Sequence, residues 1–182
     1  MTRNGRTPDT APTPVPPVIL IGPPGAGKTT VGTALAARLR VPFTDTDAVV
    51  EAVAGKPVSD IFITDGEPEF RRLEREAVAT TLDGRDGVIG LGGGAVMDSA
   101  TRTRLTGRRV VYLQTGFTEL AKRVGLDRAR PLLIGTNPRA QLKALLEERL
   151  PVYDSLAWLT VGTDGRDPED IAAEIAAVVT GP

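Results

Sequence analysis

The chain has 182 residues, 41% of them apolar and 25% charged, which suits one domain around a single core. A formal net charge of −1 and an aromatic content of 4% give no argument for nucleic acid or an anionic membrane as partner. Cysteine and histidine are both absent, which excludes disulfides, thiolate nucleophiles, His-metal sites and histidine bases, so any catalytic base must be a carboxylate or water.

Residues 1–17 are Thr/Pro-rich without an apolar run, and read as a flexible tail before one domain over 18–180. With no secretory signal and no apolar stretch of spanning length, a cytoplasmic protein is expected. Residues 18–21 are a short apolar run ending at a glycine, which predicts a buried strand. Val31, Leu35, Ala36 and Leu39 have helical spacing and predict a helix over 28–39, stopped before Pro42. A brief strand around Phe43 leads into Asp45, Thr46 and Asp47. Asp47 is expected to cap a helix carrying Val49, Val50 and Val53 and closed by Gly55. Val58, Ile61 and Phe62 mark a short helix, and Asp65-Gly66 a turn. The clearest amphipathic helix covers 67–82, with Phe70, Leu73, Ala77 and Val78 on one face.

A second core strand over 88–91 runs into Gly92, Gly93 and Gly94. A third strand over 109–113 precedes a helix over 118–124. Residues 125–136, with two glycines, a proline and no periodicity, read as a mobile loop. A helix over 139–150 and a last strand over 157–161 follow, and Asp167-Pro168-Glu169 opens the final helix. Strands alternating with helices of these lengths imply an α/β fold: a parallel sheet with helices on both faces. Ligands in such folds bind beyond the carboxyl ends of the strands, where both glycine-rich segments fall.

Gly22-Pro23-Pro24-Gly25-Ala26-Gly27-Lys28-Thr29 fits the pattern of glycine, four residues, then Gly-Lys-Ser/Thr. Glycines allow the backbone to turn successive N–H groups toward phosphate oxygens, and the following helix adds its positive end. Lys28 reaches the outer phosphates and the Thr29 hydroxyl ligates magnesium. Lysine otherwise occurs only at Lys56, Lys122 and Lys143, so a lysine at this position carries weight that a lone arginine in this chain does not. Neither later core strand ends in the aspartate that many such proteins use for magnesium. The nearest candidates are Asp45 and Asp47, one beside the metal and one facing an acceptor hydroxyl. Without the phosphate loop the same pair would read as a turn and a helix cap.

Together these features resemble the shikimate kinase family over 18–179. Residues Gly22 to Thr30 look like its nucleotide loop, and Asp45-Thr46-Asp47 like its Asp-Thr-Asp. Ile61-Phe62, Asp65-Gly66-Glu67, Glu69-Phe70-Arg71 and Glu74 look like its substrate helices, and Leu91-Gly92-Gly93-Gly94-Ala95 like its triple-glycine loop. Arg130-Pro131-Leu132-Leu133 looks like its lid, and Glu148-Arg149 with Tyr153 like the segment carrying a second substrate arginine.

The resemblance implies a three-layer αβα P-loop kinase fold with a five-stranded parallel sheet, a substrate-binding segment over about 47–75 and a lid over about 125–137. It implies an ATP- and Mg2+-dependent monomeric enzyme of aromatic amino acid biosynthesis that phosphorylates the 3-hydroxyl of shikimate. The nucleotide would be held by Gly22, Gly25, Ala26, Gly27, Lys28, Thr29 and Thr30, by Arg123 near the phosphates, by Arg166 near the base and by Arg130 of the lid. Thr29 and Asp45 would hold the metal, and Lys28, Asp47 and Arg130 would serve catalysis. Arg71 and Arg149 would clamp the acceptor's carboxylate, Phe62 and Phe70 would wall it, and Gly92, Gly93 and Gly94 would lie against its ring. Asp47 would orient the attacked hydroxyl or deprotonate it, and Glu74 would hold Arg71 from one helical turn away.

Other readings remain open for single residues. Arg71 can be part of a solvated helix face, Phe62 and Phe70 plain core, Arg149 a complement to a helix dipole, and the glycines a bare turn. The main alternative activity is another small-metabolite kinase, such as a gluconate kinase. A nucleotide acceptor would call for base-stacking aromatics that this chain lacks. An ATP-dependent switch without transfer chemistry would have no use for Asp47 and a lid arginine.

Overall fold

The computed structural model describes residues 16–84, 86–124 and 137–181. Five strands, β1 (Val18–Ile21), β2 (Phe43–Asp45), β3 (Val88–Gly90), β4 (Arg109–Gln114) and β5 (Leu159–Gly162), form one sheet in the order β2-β3-β1-β4-β5. Every pairing is parallel; Ile19 sits opposite Ile89 on one side and Val110 on the other. Among them run α1 (Lys28–Leu39), α2 (Thr46–Ala54), α3 (Val58–Thr64), α4 (Glu67–Gly84), α5 (Ser99–Leu105), α6 (Phe117–Arg123), α7 (Pro138–Leu156) and α8 (Pro168–Thr180).

The period of two in the strands separates the two helical layers. Val18 and Leu20 point to one face, with Val111, Leu113 and Val161, and meet Val31, Leu35, Ile171 and Ile175 of α1 and α8. Ile19 and Ile21 point to the other, with Ile89, Val110 and Tyr112, and meet Val78, Leu82, Leu105 and Tyr153 from α4, α5 and α7. Because both faces are covered, all four β1 side chains are buried, and its sequence is continuously apolar rather than alternating. A smaller cluster of Val50, Ile61, Phe70, Leu73 and Ala77 joins α2, α3 and α4 beside the sheet's β2 edge. This is the three-layer α/β fold expected from the sequence. Among the described residues no helix is long and apolar enough to cross a membrane.

Three local expectations need correction. The cap of α2 is Asp45, whose carboxylate accepts from Asp47 N at 3.0 Å, and Asp47 lies in the first helical turn. The helix expected to stop at Leu150 continues through Pro151 to Leu156, because Leu142, Leu146, Arg149 and Tyr153 keep one buried face at spacings of four, three and four. A short α5, capped by Asp98, follows the triple glycine where no helix was expected; only Thr101 and Leu105 of it are buried.

Four loops, after β1, β2, β3 and β5, converge at the carboxyl edge of the sheet. The connection from β3 to β4 crosses over β1, which opens the crevice typical of such sheets.

Candidate active site

A cleft of about 950 Å3 lies along that edge. Its first part is made by backbone. Gly25 and Gly27 hold φ of 86° and 93°, a left-handed conformation that side-chain-bearing residues adopt at a cost, and α1 begins at Lys28. The loop thus curls over the helix's positive end, an arrangement suited to phosphate. Lys28 Nζ donates to the carbonyls of Gly22 and Pro23 at 2.8 and 3.0 Å, which lays the ammonium along the loop. Thr29 Oγ1 donates to Asp45 Oδ2 at 2.8 Å, while Asp45 Oδ1 caps α2. These two hard oxygen donors, one from the start of α1 and one from the end of β2, fit a magnesium ion, which commonly takes only one or two protein ligands and fills its shell with phosphate oxygens and water. Among the described residues no group of three or more carboxylates could hold a metal by itself.

The second part is built from charged side chains. Asp47 Oδ1 is buried with no hydrogen-bond partner among the described residues. Burial, followed by the charges of Asp45 and Glu74, pushes its carboxyl up to about 6, although Lys28 pulls the other way. An acceptor hydroxyl would supply the missing donor. Glu74 is buried and ion-paired with Arg71 (Nη1 to Oε2, 2.7 Å); burial still holds its carboxyl above the ordinary range against the pull of Arg71 and Arg149. Arg71 also donates Nε and Nη2 to Glu67 Oε1 and lies 5.2 Å from the centre of the Phe70 ring. Phe70 and Phe62 sit with ring centres 4.5 Å apart; Phe70 is buried and Phe62 half-buried at the cleft wall.

Arg149 arrives from α7 on the opposite side, 8% exposed, with Nη1 donating to Gly93 O at 3.1 Å and Nε unpartnered. The glycines between the two arginines are there for close approach. A Cβ on Gly92 would stand 2.5 Å from Asp47 Oδ1, and one on Gly94 2.7 Å from Arg71 Nη1. Gly93 lies against Pro24 of the phosphate loop, which joins the two halves of the cleft.

At the far end Arg123 is tied by Nε to Glu119 (2.8 Å) and by Nη2 to Thr163 O (3.0 Å), and Arg166 by Nη2 to Glu174 (2.5 Å). Both line the cleft with Pro168 and Ile171. So do Gly25, Ala26, Gly27, Lys28, Thr29, Thr30, Asp45, Asp47, Phe62, Phe70, Arg71, Gly93, Gly94 and Arg149. Gly22 and Gly92 are not among the residues that line the cleft. Arg130 and all of the expected lid (about 125–137) but its last residue lie outside the described residues; that last residue, Asn137, caps α7.

Sequence reasoning gave no role to Thr46, which it named only within the Asp-Thr-Asp motif, and did not single out Thr163. The fully buried Thr46 accepts from Gly92 N at 3.0 Å and so ties the Asp-Thr-Asp turn to the triple glycine. Thr163 anchors Arg123. Neither carries a charge, and Thr163 stands in no motif that would have marked it.

A family model described as shikimate kinase matches residues 24–180. The shikimate kinase of Thermobifida fusca is 62% identical over 161 residues, covering 88% of this chain and 93% of the relative. Among solved structures, shikimate kinase from Acinetobacter baumannii in complex with shikimate superposes with a TM-score of 0.85 at 36% identity, over 91% of this chain and 93% of that one. A gluconokinase from Sinorhizobium meliloti covers 91% of both chains with a TM-score of 0.53 and 19% identity, a likeness of fold alone. The chain belongs to the shikimate kinase family.

Proposed function

We propose that the chain transfers the terminal phosphoryl group of ATP to the 3-hydroxyl of shikimate as a cytoplasmic monomer, with every group named below supplied by one chain. Lys28 and the loop N–H groups hold the phosphates, and Thr29 and Asp45 hold magnesium, which screens charge between nucleotide and acceptor. Arg71 and Arg149, on opposite sides of the triple glycine, take the acceptor's carboxylate between two guanidinium groups. Asp47 takes the attacked hydroxyl as hydrogen-bond donor and aims its oxygen along the phosphate loop. The transition state of phosphoryl transfer is loose, so positioning by Asp47 suffices and full proton abstraction is not required. Arg130 would close over the transferring group.

The observation that carries this reading is the pairing, in one cleft, of an orphaned carboxylate oxygen on Asp47 with an orphaned guanidinium nitrogen on Arg149. An acceptor with both a hydroxyl and a carboxylate satisfies both; gluconate shares those groups but lacks the rigid ring that would lie flat on the glycines. The test is ADP release with shikimate, gluconate and nucleoside monophosphates side by side. Shikimate alone should support turnover, and equal or better turnover with gluconate would overturn the assignment.

A further inference from the structure

Tyr153 lies in α7, one helical turn beyond Arg149, and is fully buried. Its Oη donates to the carbonyl of Gly93 at 2.5 Å, the same oxygen that accepts from Arg149 Nη1. That peptide is trans, so the N–H of Gly94 lies in the same plane as the Gly93 carbonyl and points the opposite way, away from Tyr153. Gly94 is a wall of the acceptor cleft, beside Arg71. On the other side Gly92 N–H is held by Thr46, so two peptide groups of this side-chain-free loop are pinned from two elements. Glycine backbones are otherwise soft, and an unpinned peptide could flip and turn a carbonyl toward an anionic ligand.

We infer that Tyr153 is a positioning residue for the acceptor: its hydroxyl fixes the Gly93–Gly94 peptide with the N–H presented to the cleft, and seats Arg149 on the shared carbonyl. The inference rests on the proposed shikimate reading. Burial keeps the Tyr153 phenol up at about 12, so it is a donor throughout the working range of pH. The ring is locked by a stack on Tyr112, with centres 5.2 Å apart and planes at 22°. Tyr112 provides the internal comparison, since its own buried hydroxyl has no partner among the described residues.

The experiment sets Y153F against Y112F, each of which removes one buried hydroxyl and keeps the stacked ring. Y153F should raise KM for shikimate about tenfold, the usual effect of removing one buried hydrogen bond. Its KM for ATP should stay within about twofold and its kcat should fall less than its shikimate KM rises, whereas Y112F should move neither constant. If the two variants behave alike, or if Y153F weakens ATP and shikimate equally, Tyr153 is a core residue and the inference fails. Melting temperatures of both variants separate a general loss of packing from a local one. A wild-type enzyme that does not turn over shikimate would instead overturn the functional reading on which this one rests.

Discussion

The two halves of the cleft are made of different material. The phosphate half is backbone: positive-φ glycines, a helix start, and a lysine and threonine already bonded within the protein. The acceptor half is charge: two arginines, Asp47 and Glu74, drawn from α2, α4 and α7, and two of these side chains carry a buried polar atom with no partner among the described residues. The first half is near its working state before any ligand arrives. The second holds polar atoms that a ligand must complete, so it is where specificity resides and where folding is opposed.

The sharpest way to break this contrast is Lys28→Ala. It removes a charge from a loop whose shape is held by its glycines, so the fold should persist while transfer falls by about a thousandfold. Near-normal turnover would mean that the loop is not the phosphate site. Asp47→Asn comes next, with a loss of turnover of about a hundredfold if the carboxylate positions the hydroxyl. The wild-type kcat/KM for shikimate should rise with pH through an apparent value of about 6, that of the free Asp47 carboxyl, and the Asn variant should lose that acid limb. A variant with an unchanged pH profile would remove Asp47 from the step.

Arg71→Ala and Arg149→Ala sharpen the contrast further. Each charge-assisted bond is worth about 1.5–3 kcal/mol, so shikimate binding should weaken roughly ten- to a hundredfold while ATP binding alone hardly changes. Calorimetric titration of both ligands gives the comparison. Arg71→Lys should also be costly, because an ammonium cannot make two parallel bonds to a carboxylate. Equal losses for the two ligands would assign both arginines to the scaffold.

The phosphate half was also the more legible in sequence. Its geometry depends on residue types at fixed spacing, and α1 begins and ends where the motif and Pro42 place it. The helix over α4 was equally plain, because Phe70, Leu73, Ala77 and Val78 repeat along a buried face. What escaped either had no periodic signal or had it masked by a helix breaker. Of the seven residues in α5 only two are buried, and Pro151 disguised the continuation of α7 although the buried spacing from Leu146 through Arg149 to Tyr153 is unbroken. In the acceptor half the charged residues could be named from the resemblance. The neutral hydroxyls of Thr46 and Tyr153 fall within motifs of the same resemblance, but their hold on the triple glycine was not legible, since a bond to a distant backbone group leaves no local pattern. The helix cap expected at Asp47 belongs to Asp45, which offers its second oxygen to Thr29.

The smallest expected effect tests whether the acceptor half opposes folding. Asp47 has its carboxyl raised from 3.8 to about 6, with burial the largest cause. Between those values the folded chain keeps the proton while the unfolded chain releases it, so the folded state binds more protons and stability falls as pH rises through that window. Above it the penalty is constant, at most about 3 kcal/mol for a shift of this size, and nearer 1 kcal/mol once the partial exposure of the group is allowed for. Asp47→Asn should therefore be more stable than the wild type at pH 7 by about 1–3 kcal/mol, with the difference shrinking toward zero near pH 4. Urea unfolding of both proteins at several pH values measures it. Shikimate bound with Mg-ATP should narrow the gap, because the ligands supply the partners that Asp47 lacks. A variant no more stable than the wild type at pH 7 would mean that the Asp47 carboxylate sits there without penalty, and the acceptor half would then be as self-satisfied as the phosphate loop.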